Sequence, residues 1–75
     1  MTSAQVLLAR YQDHPIGQTL TAMQYPSSEQ ELHVQQIMVL TMAELLSWQG
    51  EITADERETF LALATLEALA DVAAH

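Results

Sequence analysis

Residues 27–50 read SSEQELHVQQIMVLTMAELLSWQG, and their reading decides the fold. Ser28 stands three residues before Glu31, the spacing of a capping box at a helix start, and Ser27 with Gln30 repeats it one residue earlier. Glu29 and Glu31 suit the positive end of the helix dipole. Gly50 stands where a left-handed residue ends a helix at little cost. At 100° per residue, Val34, Ile37, Met38, Thr41, Leu45 and Trp48 share one face. Leu32, Val39, Ala43 and Leu46 form a second, rotated stripe, with Met42 between the two. Glu29, His33, Gln36, Glu44 and Ser47 are left as a narrow polar strip. A helix apolar over more than half its circumference is central to its fold rather than laid on a surface.

Outward from this stretch the chain punctuates itself. After Gly50, Thr53 and Glu56 form a second capping box with Asp55 in the first turn, which predicts a helix from Ala54 to about Ala73. So short a link makes the two helices antiparallel neighbours, a hairpin over about 28–49 and 54–73. On the last helix, Thr59, Ala62, Leu63, Leu66, Ala70 and Ala73 mark the expected packed stripe. Phe60 falls among polar residues and needs cover from the first helix or from another molecule. That first helix is expected over about 3–13, capped by Ser3, with Val6, Leu7, Ala9 and Tyr11 as its apolar side. Pro15 disfavours helical geometry at His14 and ends it. Within residues 16–25 the run Thr19-Leu20-Thr21-Ala22-Met23 alternates as a strand would, but a lone strand has no partner in so short a chain unless a dimer supplies it. Irregular structure with a helical turn is expected there, ended by Pro26. The fold class is therefore all-α, one domain over 1–75.

At 75 residues the chain is near the size where one core is barely sufficient, burying roughly 60% of its unfolded surface. Small scaffolds add disulfides, metals or oligomerisation. There is no cysteine, which removes disulfides, thiolate zinc sites and cysteine nucleophiles together. Oligomerisation is left as the expected support, making a homodimeric helical bundle. Ten acidic residues face only Arg10 and Arg57, with no lysine, for a net charge of −8. That balance opposes binding to phosphate backbones and to anionic membrane surfaces. Its plain meaning is solubility, its sharper one an acidic face that docks on a basic protein. The start, MTSAQVLLARYQD, lacks the basic opening and longer apolar core of a signal peptide, and Ile37–Leu46 is too short to cross a bilayer. A cytoplasmic protein is expected.

Chemical motifs are sparse. His14, His33 and His75 have no partners at metal-ligand spacing, so neither a metal nor another cofactor is expected. Ser27 and Ser28 are better explained as caps than as nucleophiles, and Ser3 and Ser47 lie in no strained turn. Asp55 and Glu58 lie in an exposed first turn where solvation keeps carboxylates ionised. The link after Gly50 is far too short for a calcium-binding EF-hand loop, and two glycines make no phosphate loop. No enzyme is expected. Met38 and Met42 at helical spacing read more simply as core than as an adaptable groove, whereas Trp48 near a helix end suits an interface anchor or a lid on the core. The candidate interface residues are Leu32, Val34, Ile37, Val39, Met42, Leu45, Leu46 and Trp48. Either stripe of the long helix can serve as core and the other as interface.

The long apolar helix ending at Gly50, the short link and a second helix closing on Leu66-Glu67-Ala68-Leu69-Ala70-Asp71 resemble the AriR/YmgB-like small regulators of enterobacteria. The resemblance is one of layout and spacing, over roughly His33 to Asp71. It implies a small all-helical dimer acting as a connector in two-component signalling, with effects on biofilm formation and acid resistance. It carries over no site residue. Members tend to be basic at the start of the last helix, where this chain has Asp55-Glu56, so no DNA-linked role is carried over. The function expected is a non-enzymatic regulatory module that binds itself and a partner protein, with no direct nucleic acid or membrane contact. The alternative is an acidic phage- or plasmid-type inhibitor that occupies a basic, nucleic-acid-binding surface of a host protein.

Overall fold

The computed structural model describes residues 2–25 and 27–65, and these are all-helical, with no strand among them. Four helices follow in order: α1 Ser3–Arg10, α2 Pro15–Ala22, α3 Glu29–Trp48 and α4 Ala54–Leu63. α3 is the spine: α2 and α4 both pack on it, and α1 packs on α4.

Local chemistry sets each boundary. α1 is capped by Thr2, not Ser3: the Thr2 hydroxyl accepts from the Gln5 N–H while the Gln5 side chain accepts from the Thr2 N–H. Gln5 completes the box from the third helical position, a reach denied to any partner of Ser3. α2 replaces the irregular segment expected over 16–25. His14 Nδ1 accepts from the Ile16 N–H at 3.1 Å, and Pro15 takes the first helical position, where its missing N–H costs nothing. α1 itself stops at Arg10, short of the expected limit near residue 13, and Pro15 begins α2.

The start of α3 shares its capping between two serines. The Ser28 hydroxyl accepts from the Glu31 N–H at 3.0 Å, but the Glu31 carboxylate turns back to the Ser27 N–H at 2.7 Å. That bond holds the Glu31 carboxyl below its ordinary pKa. At the other end Gly50 adopts φ 76°, the Gly50 N–H donates to the Ser47 carbonyl and the Glu51 N–H to the Leu46 carbonyl. These two bonds make a Schellman motif and satisfy carbonyls that the helix end would leave bare. The capping box of Thr53 and Glu56 then starts α4, with bonds of 2.8 and 3.1 Å.

The core is built from one stripe of each helix: Leu7 of α1; Ile16, Leu20 and Met23 of and just after α2; Val39, Ala43 and Leu46 of α3; Phe60 and Leu63 of α4. Ile52 in the link is buried with them. Burying one such side chain is worth about 1.5–3 kcal/mol, so the short helices are held by packing rather than by their own propensity. Several stripes differ from expectation. α1 turns Ala4, Leu7, Leu8 and Tyr11 inward and leaves Val6 half-exposed and Ala9 outside. On α4 the buried positions are Phe60 and the expected Leu63, whereas Ala62 is exposed and Thr59 lies at the margin. Gln36, expected on the polar strip, donates to the Ala64 carbonyl at 3.0 Å and so caps the end of α4. The expected extension of the last helix through Ala70 and Ala73 lies outside the described residues.

Tyr11 ties the N-terminal half to the rest. Its ring meets His14 and Phe60 edge-on, with centroids 5.5 and 5.6 Å away, and the Arg10 guanidinium lies 5.2 Å from it. The backbone at Tyr11 and Gln12 crosses directly over α2 at Gly17: a Cβ there would stand 2.0 Å from the Tyr11 carbonyl oxygen. Glycine is required at that crossing because only a missing side chain lets the two backbones approach.

Candidate protein-interaction surface

With Val39, Ala43 and Leu46 turned inward, the opposite side of α3 faces solvent and is apolar as well. Val34, Ile37, Met38 and Leu45 are about half exposed and Trp48 is 92% exposed. These positions recur at three- and four-residue steps and form one band running roughly 20 Å at 1.5 Å per residue. Leu40 adds a further exposed apolar side chain on its flank. A shallow hollow of about 360 Å³ between Thr41, Glu44, Leu45 and Trp48 marks one end. A groove of about 400 Å³ between α2 and α3, lined by Pro15, Ala22, Val34 and Met38 among others, adjoins the other.

The eight candidate interface residues therefore divide. Val34, Ile37, Leu45 and Trp48 lie on the exposed band; Leu32 and Met42 are half-buried where α3 meets its neighbours. Val39 and Leu46 belong to the core and are withdrawn from the candidate surface: α2 and α4 already cover that stripe. Met38 belongs to the band and was not among the eight, although its place on the Val34 face of the wheel was available from the sequence. Tyr25, 83% exposed just after α2, had no periodic signal to single it out.

The band is uncharged while its surroundings are acidic. No Asp, Glu, Lys or Arg occurs from Leu32 to Ala43. Glu44 stands at the flank and accepts from Arg57 at 2.9 Å, and Arg57 also donates to Glu58 at 2.9 Å. Arg10 binds the Glu56 carboxylate, whose other oxygen accepts the Thr53 N–H. The Thr53 N–H, and then Arg10, hold the Glu56 carboxyl below its ordinary pKa, while Glu56 raises that of Arg10. Both cations of the chain are therefore engaged with its own carboxylates.

Other concavities hold no chemical constellation. The groove between α1 and α4, about 470 Å³, contains Arg10 and Glu56, which already satisfy each other. Among the described residues no three His, Asp or Glu side chains stand close enough to hold a metal ion. His14 spends its Nδ1 on capping α2, and Ser28 spends its hydroxyl on capping α3. No helix among the described residues is long and apolar enough to cross a membrane. No family model, characterised protein or solved structure matches the chain.

Proposed function

We propose that this chain is a non-enzymatic regulatory module that acts by protein–protein contact, that the outer face of α3 is its contact surface, and that self-association into a helical dimer is part of that activity. One observation carries the reading: a single helix turns five large apolar side chains to solvent on the side opposite a filled core. Contiguous exposed apolar patches mark interaction sites in soluble proteins, and Trp at the end of such a patch is the residue type most often found as an anchor. α3 and α4, taken as an antiparallel helical hairpin, supply the rigid frame that such a surface needs. Direct nucleic-acid binding is disfavoured because both arginines are already paired. A setting in bacterial signalling, biofilm or stress regulation rests on the layout resemblance alone, as does a cytoplasmic site of action on the chain's opening residues.

A photo-crosslinking residue placed at Leu45 in the native host tests the surface. Discrete adducts are expected from Leu45 and not from the exposed position Gln12 in the turn between α1 and α2; equal labelling from both positions would sink the reading. The second reading, an acidic inhibitor of a basic surface, is favoured by the same pairing of both cations, which leaves a net charge of −8 to act outward. It requires binding that weakens steeply with salt, whereas an apolar seam does not.

A further inference from the structure

The exposed band of α3 is symmetric in its spacing. Val34 and Trp48 lie seven residues either side of Thr41, and Ile37 and Leu45 lie four either side. At 3.6 residues per turn all four fall within about 40° of the Thr41 direction. Trp48 and Ile37 lie to one side of that direction, Leu45 and Met38 to the other. A two-fold axis passing beside Thr41, normal to a pair of antiparallel α3 helices, keeps these sides together and reverses their order along the helix. Trp48 of one copy then meets Ile37 and Val34 of the other, and Leu45 meets Met38. The largest exposed side chain is thereby set against a small β-branched one, twice over.

We infer that the occupant of this face is a second copy of the chain, packed antiparallel with Thr41 at the two-fold axis. The inference rests on the reading of the α3 face as the working surface. A self-complementary patch of this kind is what a two-fold interface demands, each residue serving both partners. The parallel alternative stacks Trp48 on Trp48 and Val34 on Val34, splaying the helices at one end, and sets Glu44 against Glu44. Charge points the same way. A partner of opposite charge would be met by acids along the seam, but the seam from Val34 to Ala43 has none, and Glu44 is held at the flank by Arg57. The exposed parts of the five apolar side chains offer roughly 600 Å² per copy, which places the pair at the lower edge of specific interfaces. The dissociation constant against which pairing is to be tested is on the order of micromolar.

The absence of cysteine makes the test direct. Facing residues on packed helices bring Cα atoms within the roughly 4.4–6.8 Å that a disulfide needs. Under mild oxidation, Thr41→Cys is expected to give covalent dimer far faster than the exposed control Asp13→Cys. Val34→Cys and Trp48→Cys are expected to cross-link when mixed and not singly. Trp48→Ala is expected to weaken dimerisation at least tenfold by sedimentation equilibrium. Because Trp48 touches little of its own chain, the circular-dichroism melt of dilute W48A should be unchanged. Rapid self-cross-linking of Val34→Cys overturns the antiparallel arrangement. A monomer at about 100 μM, far above a micromolar constant, overturns the second copy as occupant. If that monomer still yields Leu45 adducts with another protein in the host, the interaction reading survives and the two-fold pairing falls alone.

Discussion

Gly17→Ala should destabilise the fold even though it improves a helix. Alanine in a helix interior is favoured over glycine by about 0.8–1.0 kcal/mol, so the local effect is stabilising. The crossing of the α1–α2 turn opposes it. A Cβ at Gly17 would lie 2.0 Å from the Tyr11 carbonyl oxygen, 2.7 Å from its carbon and 3.3 Å from Gln12 Cα. The first two are backbone atoms with no rotamer to yield, so the turn must retreat by well over an ångström. Tyr11 would move with it, away from Phe60 and His14. Overpacking a fitted site costs typically 1–3 kcal/mol, and backbone crowding belongs at the upper end. Net of propensity, a loss of about 2 kcal/mol is expected, a fall of roughly 10 °C in Tm for a domain this small. Urea and thermal melts by circular dichroism measure it, with protein concentration held fixed because self-association would shift both. Gly50→Ala is the comparison: no atom lies within 4 Å, but φ is +76°, so the cost is about 1 kcal/mol of left-handed strain alone. A G17A variant as stable as the parent would refute the close crossing, and with it the packing of the α1–α2 turn against Gly17.

Four further outcomes follow from named contacts. Thr53→Ala should lose about 1 kcal/mol by removing the hydroxyl cap of α4, read from the same melts, and Thr53→Ser should restore most of it. His14→Ala should cost α2 a similar amount, about 1 kcal/mol, while His14→Asn, which keeps a capping acceptor, should not. Glu56 and Glu31 carry pKa values lowered by folding from 4.5, so their contribution is present above that value and is lost as pH falls through their folded values. Stability should therefore drop on acidification below about pH 4.5, and Glu56→Gln should flatten that drop in a pH series of melts; an unchanged slope would remove Glu56 from the account. Ile52→Ala should cost about 2–4 kcal/mol, since a link residue is here part of the core.

Helix existence was legible where caps and periodicity agreed. Ser28, Gly50 and the Thr53–Glu56 box mark the ends of α3 and the start of α4 with the bonds their spacing implies, except that the Glu31 carboxylate returns to the Ser27 N–H and not to that of Ser28. α2 was hidden because Pro15 carries two messages: it forbids helix before itself and favours helix after itself. The first message alone implies only irregular structure with a helical turn over residues 16–25. Phe60 was misplaced for another reason. A wheel drawn from Ala54 to Ala73 puts Ala62 on the packed stripe, where the structure leaves it exposed, whereas the decisive contact, Tyr11 against Phe60, joins residues 49 positions apart. The candidate surface was half legible. Both stripes of α3 were visible, but which one is core depends on where α2 docks, and α2 had not been seen.

That dependence also accounts for the charge of the chain. A helix apolar on two faces is a hazard in a small protein, because the face that the core does not use can adhere to anything. Ten acids on 75 residues keep copies apart in every orientation but those that bring uncharged surfaces together. The arginines sharpen this: Arg57 pairs with Glu44 and Glu58, Glu44 at the margin of the band, and Arg10 holds Glu56 in the groove between α1 and α4. On the proposed pairing, that repulsion is an orientation filter, cheapest where the seam from Val34 to Ala43 meets an equally neutral surface. Adding charge inside the seam should expose the filter. Ile37→Glu leaves the core untouched, since Ile37 is half exposed and opposite Val39, so the monomer should melt within about 0.5 kcal/mol of the parent. Its self-association should nonetheless fall more than tenfold and become strongly salt-dependent. Parent and I37E chains that associate equally at low salt would show that the band is not where copies meet.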